Sequence, residues 1–158
     1  MKCGLVWDEQ NPMAEPLCGL KPESIRRECD ASLRRLRVEH IDRYQFHWPD
    51  ETGTPVENSW SEMVRLLEQG KIRMAGVSNF DVPQRQRCEA IRHVDSLQPP
   101  FSLIRRQAAK REIPWCLEHK TGVICYSPME SGFLADNFTA ERVARLVPDD
   151  WRRRAPQF

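Results

Sequence analysis

The chain has 158 residues and a mass of 18.5 kDa, the size of one ordinary domain. Hydrophobic residues make up 40% and charged residues 30%, which supports a buried core and excludes a disordered chain. With 24 basic against 23 acidic residues the net charge is +1, which argues against a nucleic-acid partner, and no apolar run approaches the ~20 residues of a membrane span.

Five apolar runs typical of β-strands alternate with charged segments of helical periodicity. The runs are residues 5–7, 41–48, 72–80, 96–104 and 122–127. Three segments place apolar residues on one helix face: Ile25, Cys29, Leu33 and Leu36; Trp60, Met63, Val64 and Leu67; Ile113, Cys116 and Leu117. Residues 82–93 predict a weaker helix with Pro83 in its first turn. The alternation indicates βαβ units on a parallel sheet.

Polar and aromatic side chains come at or near the carboxyl ends of these runs, where ligands collect in α/β folds. They are Trp7, His47, Ser78, Asn79, Gln98, Tyr126 and Ser127. The sequence contains neither a GxGxxG loop nor a Walker A loop, so an ordinary Rossmann domain has no positive support. The residues alone do not decide between an open doubly wound sheet and an arc of a (β/α)8 barrel.

The cysteines are scattered along the chain and form no CxxC pair, so we expect no zinc site. Scattered cysteines are typical of buried small hydrophobic residues in a reducing compartment, with a disulfide or a reactive thiol as the alternative. Residues 1–10 lack the pattern of a signal peptide. Together these features predict a cytoplasmic protein without a metal.

Four segments resemble the aldo-keto reductase family, in the family's order and at its approximate spacing. They are IDRYQFHWPD (41–50), GKIRMAGVSNF (70–80), DSLQPPFSLI (95–104) and GVICYSPMESGFL (122–134). SIRRECDASLRRL (24–36) resembles the helix before the family's histidine strand, and MKCGLVW (1–7) the end of its lysine strand. The resemblance implies an α/β fold: a partial (β/α)8 TIM barrel of about five parallel βα units, with residues 1–158 as a single incomplete domain.

The resemblance also implies a carbonyl-binding site. His47 would hydrogen-bond the substrate carbonyl, which imidazole can do because it donates while neutral near pH 7. Lys2 matches the catalytic lysine, and Trp7 and Trp48 would line the substrate pocket. The alternative for His47 is a histidine at a strand end whose hydrogen bonds are made by the backbone. The alternative for Trp48 is simple packing at the edge of the sheet.

Two of the family's four catalytic residues have no match in this sequence. The proton-donating tyrosine and the aspartate that pairs with the lysine both precede the lysine strand in the family, whereas the tyrosines here are Tyr44 and Tyr126. Lys2 has no preceding strand residues to hold it, and chain ends fray. Because loss of a positioned acid costs ~10²–10⁴ in rate, the sequence predicts no measurable turnover by the isolated chain.

The cofactor implied by the resemblance is NADPH/NADP. Ser78, Asn79 and Gln98 would bind the nicotinamide carboxamide, since amides offer both donors and acceptors, and Tyr126 would stack on the ring. The loop that approaches the pyrophosphate would contribute Ser127, Met129, Gly132 and Leu134. For Ser78 and Asn79 the alternative is a turn or helix cap without a ligand. The residues do not decide between NADPH and NADH.

The predicted function is therefore an aldo-keto reductase-like oxidoreductase that reduces a small aldehyde or ketone by hydride transfer from NADPH. The partner would be a small carbonyl substrate, without nucleic acid or membrane. The alternative is a non-enzymatic partial-barrel interaction protein or a truncated gene product. An unclosed sheet has two exposed strand edges, which invite self-association.

Overall fold

The computed structural model describes residues 1–8, 10–11, 13–135 and 138–154. The strands are β1 (Lys2–Cys3), β2 (Leu5–Val6), β3 (Leu17–Cys18), β4 (Ile41–Phe46), β5 (Ile72–Ser78), β6 (Ser96–Gln98) and β7 (Gly122–Val123). The α-helices are α1 (Pro22–Leu36), α2 (Val56–Glu68), α3 (Val82–Glu89), α4 (Glu112–Glu118) and α5 (Ala140–Ala144). Short 3-10 helices span Gln107–Ala109, Glu130–Gly132 and Trp151–Arg154. None of the helices within these ranges is long and apolar enough to cross a membrane.

The main sheet has five parallel strands in the order β1-β4-β5-β6-β7. This confirms the predicted α/β fold with parallel βα units. The last two strands are shorter than the apolar runs suggested. Pro99 and Pro100 cannot donate to a ladder, and β6 ends at Gln98. A single bridge from Pro100 to Tyr126 then continues the pairing with the β7 segment.

The first strand of the sheet differs from the sequence prediction. Lys2–Cys3 pairs with β4, whereas Leu5–Val6 leaves the sheet and pairs antiparallel with Leu17–Cys18. Gly4 separates the two short strands at a φ of 92°, a left-handed conformation that suits glycine. The prediction of residues 5–7 as a strand of the parallel sheet is therefore wrong, and Trp7 does not end a strand of that sheet.

Strand β1 is held at both ends, contrary to the expectation of a frayed terminus. The N–H of Gln45 donates to the carbonyl of Met1 at 3.2 Å, and the N–H of His47 donates to that of Cys3 at 2.9 Å. Beyond the strand, the N–H of Gly4 donates to the Glu28 carboxylate of α1 at 3.0 Å. These contacts fix the backbone on either side of Lys2.

The helices bury, fully or partly, most of the residues that the periodicity predicted. Ile25, Cys29, Trp60 and Met63 are fully buried, while Leu33 and Leu67 pack against the core. Leu36 is 49% exposed and Leu117 is 82% exposed, so their assignment to buried helix faces is wrong. In α4 the buried aromatic is Trp115 instead. Helix α3 begins at a capping box between Asp81 and Gln84, with Pro83 in its first turn as expected.

The two faces of the sheet differ in character, because side chains alternate along each strand. One face packs against the helices and is apolar; it carries Tyr44, Phe46, Ala75, Val77 and Leu97, all fully buried. The ring of Phe46 meets that of Trp60 from α2 at 5.7 Å between centroids. The opposite face, called the polar face below, carries Lys2, Arg43, Gln45, Met74, Gly76, Ser96 and Gln98.

Candidate active site

Asn79 lies at the centre of a hydrogen-bond network at the carboxyl ends of the strands. Its side-chain amide donates to the backbone carbonyl of His47 at 3.1 Å and to the hydroxyl of Ser78 at 3.2 Å. Its backbone N–H donates to the carbonyl of Gln98 at 3.3 Å, and its Oδ1 accepts from the hydroxyl of Tyr126 at 2.8 Å. Asn79 has a φ of 62°, which asparagine tolerates better than most residues. One residue, through its side chain and its backbone N–H, thus links the ends of four adjacent strand segments.

Gln98 is fixed by a partner that the sequence analysis missed. The amide of Gln45 donates to Oε1 of Gln98 at 2.7 Å, and the Ser78 hydroxyl donates to the Gln98 carbonyl at 2.8 Å. The amide nitrogen of Gln98 has no protein partner among the described residues. A signal for Gln45 was present in the sequence: positions 43, 45 and 47 are polar at strand spacing, within the apolar run 41–48.

His47 is half-buried directly after β4. Burial, and then the positive charge of Lys2, lowers the pKa of its imidazole below the usual value. A neutral imidazole can donate a hydrogen bond without carrying charge into the site. The ring of Trp48 stacks on it at 6.4 Å between centroids.

The side chain of Lys2, in β1, lies near the ring of Tyr126, which follows β7, with Nζ 6.0 Å from the centre of the phenol ring. Burial, and then the charge of Arg43, lowers the pKa of Lys2. Burial raises the pKa of Tyr126. The phenol is therefore a neutral hydrogen-bond donor, and its proton points to Asn79.

A cleft of about 530 Å³ adjoins this network and is lined by Trp48, Asn79, Arg105 and Tyr126 among others. Trp7 lies elsewhere, in a separate cleft of about 520 Å³ beside α1. The structure thus brings Trp48, but not Trp7, to the cleft beside Asn79 and Tyr126.

The loop over residues 127–134 follows the strand segment of Tyr126 in a series of left-handed turns. Ser127, Glu130, Ser131 and Gly132 have φ values of 53°, 45°, 55° and 95°. Met129 is 52% exposed, and its carbonyl accepts from the N–H groups of Gly132 and Leu134. Space is open above Gly132, where an added Cβ would have its nearest neighbour at 4.0 Å.

The same loop holds a buried carboxylate that the sequence analysis did not identify. Glu130 is 3% exposed, and one of its oxygens lies 3.4 Å from the guanidinium of Arg105. This contact ties the loop to the segment after β6. No pattern in the sequence singled out either residue, because they are 25 positions apart and belong to no shared element.

The carboxyl ends of the parallel strands, with His47, Asn79, Gln98 and Tyr126, are called the rim below. The donors and acceptors at the rim fit the nicotinamide end of a dinucleotide. The free amide nitrogen of Gln98 can donate to a carboxamide oxygen, and Oδ1 of Asn79 has a second lone pair for a carboxamide N–H. Tyr126 offers a half-exposed ring beside them. Within the described residues, no group of three or more His, Cys, Asp or Glu side chains could hold a metal ion.

Comparison with known proteins gives the family. A model described as "Aldo/keto reductase family" matches residues 2–155. The chain belongs to the aldo/keto reductase family. The "NADH-specific methylglyoxal reductase" of Escherichia coli is 31% identical over 150 residues, covering 90% of this chain and 46% of that protein.

Solved structures agree with this assignment and with the partial barrel. The glycerol dehydrogenase AKR11B4 from Gluconobacter oxydans is 36% identical with a TM-score of 0.90, over 99% of this chain and 47% of that one. An aldo/keto reductase from Klebsiella pneumoniae in complex with NADP and acetate is 33% identical with a TM-score of 0.61; the match covers 72% of this chain and 41% of that one. The chain spans less than half the length of this curated relative and of both these solved structures.

Proposed function

We propose that this chain carries the nicotinamide and carbonyl subsites of an NADPH-dependent aldo-keto reductase, which reduces a small aldehyde or ketone in the cytoplasm. The observation that carries the proposal is the network of Asn79, which ties the end of the His47 strand to Gln98 and Tyr126. Carbonyl-binding and cofactor-binding groups then share one rim. When bound, the cofactor supplies the hydride that reduces the carbonyl carbon.

Each residue at the rim has a defined task in this proposal. His47 donates a hydrogen bond to the carbonyl oxygen, while the ammonium of Lys2 favours negative charge that develops there. Trp48 covers the substrate side and excludes water. The carboxamide is held by Ser78, Asn79 and Gln98, the ring by Tyr126, and the pyrophosphate side by Ser127, Met129, Gly132 and Leu134.

The chain by itself is proposed to bind the cofactor without turnover, because neither of its tyrosines is placed to protonate a carbonyl oxygen beside Lys2. Tyr44 is fully buried on the helix side of the sheet, and its hydroxyl donates to the Ile25 carbonyl at 3.4 Å. The hydroxyl of Tyr126 is committed to Asn79. A positioned acid is worth ~10²–10⁴ in rate.

The test is titration of the purified chain with NADPH and with NADH, followed by quenching of tryptophan fluorescence. We expect saturable binding of NADPH that Asn79→Ala weakens by roughly tenfold or more, because the substitution disconnects Tyr126 and the His47 carbonyl. Asn58→Ala, on the exposed side of α2, is the matched control and should bind as the parent chain does. Absence of binding for both nucleotides would refute the cofactor subsite.

Turnover is tested separately with a reactive aromatic aldehyde, from the loss of NADPH absorbance. We expect no rate above background. Turnover that His47→Ala abolishes would show that the site works without a tyrosine acid, and the proposal of an inactive isolated chain would be wrong.

The edges of the sheet favour a second candidate, a partial barrel that associates through strand pairing. In the described residues β1 and β7 each pair on one side only. Unpaired edges expose N–H and C=O groups that recruit further strands. Sedimentation velocity over a concentration series tests this candidate, which predicts a reversible oligomer; a monomer at all concentrations would exclude it.

A further inference from the structure

Arg85 of α3 is a fully buried cation without a carboxylate partner. It is 0% exposed, and among the described residues it makes no ion pair. Its Nε donates to the backbone carbonyl of Asp81 at 3.3 Å, and its Nη1 donates to that of Glu112 at 3.4 Å. Because a buried charge is costly unless it is paired, this guanidinium has room for a further, negatively charged partner.

The third contact of Arg85 is the thiol of Cys116 in α4. Nη1 lies 2.9 Å from Sγ, and both residues are fully buried. The guanidinium carbon also lies 4.4 Å from the ring centre of Trp115. Within the described part of the chain, two donors of this cluster have no hydrogen-bond partner: Nη2 of Arg85 and Nε1 of Trp115. Buried polar groups are nearly always hydrogen-bonded, so two orphan donors in one cluster point to acceptor atoms that join it.

We propose that Cys116 is a modification site, at which hydrogen peroxide oxidises the thiol to a sulfenate whose oxygen accepts a hydrogen bond from Nη2 of Arg85. This oxygen gives the guanidinium the acceptor that it lacks, and as an anion it also supplies the missing counter-charge. The site shares no residue with the rim or with the polar face, so it is independent of the proposed function.

The reaction is a two-electron oxidation. The thiolate of Cys116 attacks one oxygen of hydrogen peroxide, and the S–O bond forms while the O–O bond breaks. Sulfur loses two electrons, and the second oxygen leaves as hydroxide. The proton of the thiol converts that hydroxide to water, so one peroxide gives one sulfenic acid and one water. The sulfenic acid ionises beside Arg85.

The oxidant has a short path to Cys116 although this residue is buried. Asp81 and Glu112, whose carbonyls accept from Arg85, line the cleft of about 530 Å³, so the guanidinium lies directly behind the cleft wall. Helix α4 has only seven residues and no side-chain cap at its N-terminus. A short, uncapped helix opens locally at low cost, which admits a small neutral oxidant to Sγ.

Local opening also supplies the reactive form of the thiol. Burial raises the pKa of Cys116, while the charge of Arg85 opposes that increase. The thiol is therefore protonated and unreactive in the closed helix, and it ionises beside a cation when α4 opens. Closure afterwards places the new oxygen next to the orphan nitrogen of Arg85.

The test is peroxide treatment of the purified, reduced full chain. Catalase ends the reaction, and the chain is then unfolded in urea with dimedone, which traps sulfenates wherever they lay in the fold. Peptide mass spectrometry gives the adduct at each cysteine. Cys88 in α3 is the internal control, because it is equally buried but its sulfur accepts no hydrogen bond among the described residues. We expect roughly fivefold or more adduct at Cys116 than at Cys88. Equal adduct at the two, or none at Cys116, would overturn the proposal.

Variants decide whether Arg85 forms the site. Arg85→Lys keeps the charge without the second donor, and Arg85→Met removes both. Each should lower the Cys116 adduct by roughly threefold or more, relative to the adduct at the exposed Cys125. Arg87→Met, which removes an exposed ion pair with Glu57 from the same helix, is the matched control and should label as the parent chain. If Arg85→Met does not fold, Arg85→Lys carries the test. Undiminished labelling of Cys116 in Arg85→Lys would overturn the site.

Discussion

Tyr126 donates its hydroxyl hydrogen bond to Oδ1 of Asn79 over 2.8 Å, although the residues are 47 positions apart. Asn79 in turn donates to the backbone of His47, 32 positions earlier. Asn79, directly after β5, therefore orients the ring of Tyr126 beyond β7 and contacts the backbone of His47 after β4. The rim is a connected unit, so a change at one strand end is felt at the others.

Loss of the Tyr126 hydroxyl should loosen this unit. We expect Tyr126→Phe to lower the free energy of unfolding by about 1 kcal/mol, because Oδ1 of Asn79 loses its donor. Urea denaturation of the two proteins measures the difference. An unchanged midpoint would mean that water replaces the phenol at no cost.

The charge of Lys2 should govern the titration of His47. Since burial and then Lys2 lower the pKa of His47, Lys2→Met should move this pKa upward, towards the usual value of about 6.5. NMR titration of the imidazole signals measures the shift, with the exposed His119 as internal control. A His47 pKa that does not move would place the ammonium too far away to act on the carbonyl site.

The same group gives a pH dependence of stability. A histidine whose folded pKa is below its unfolded value binds fewer protons when folded, so stability falls as the pH drops through the unfolded value of about 6.5. His47→Gln should remove that part of the dependence. Unfolding free energies measured between neutral and mildly acidic pH check the difference between the two proteins.

Asp50 anchors the segment after His47 and Trp48. Its carboxylate accepts from the N–H groups of Leu20, Thr52 and Thr54. Asp50→Asn should lower the free energy of unfolding by about 2 kcal/mol, because hydrogen bonds to a charged acceptor are strong. The control is Asp42→Asn, whose ion pair with Arg73 is exposed and should contribute less than about 1 kcal/mol. Equal effects in the two variants would contradict the anchoring role.

The pKa of Asp50 predicts how this anchor responds to acid. Burial raises that pKa, but the hydrogen bonds from Leu20, Thr54 and Thr52 outweigh burial and bring it below the usual value. The contribution is therefore present above the usual carboxyl range and is lost as the pH falls through the lowered pKa. Asp50→Asn should flatten this acid limb of the stability profile.

The close approach at Gly76 predicts a large effect of a small substitution. Gly76→Ala would bring a methyl group to 2.9 Å from the carbonyl of Ser96, which is backbone and cannot move aside. We expect a loss of about 1–3 kcal/mol in unfolding free energy. Gly122→Ala is the control, since its Cβ would meet only the carbonyl of Asp95 at 3.3 Å and should cost less. Similar midpoints for the two variants would contradict the tight packing of β5 against β6.

The sequence by itself determined the parallel βα order and the helix faces of Ile25, Cys29, Trp60 and Met63, because periodicity records which side of an element is buried. It also placed His47, Asn79, Gln98 and Tyr126 at strand ends, since parallel strands bring their carboxyl ends to one edge.

Only the tertiary structure decided the contacts across strands. The pair of Gln45 and Gln98 and the ion pair of Arg105 and Glu130 depend on strand register and rotamers, which no local pattern encodes. The departure of Leu5–Val6 from the sheet likewise required the left-handed turn at Gly4 and a partner at Leu17–Cys18. Residues distant in sequence are neighbours here because the fold brings them together.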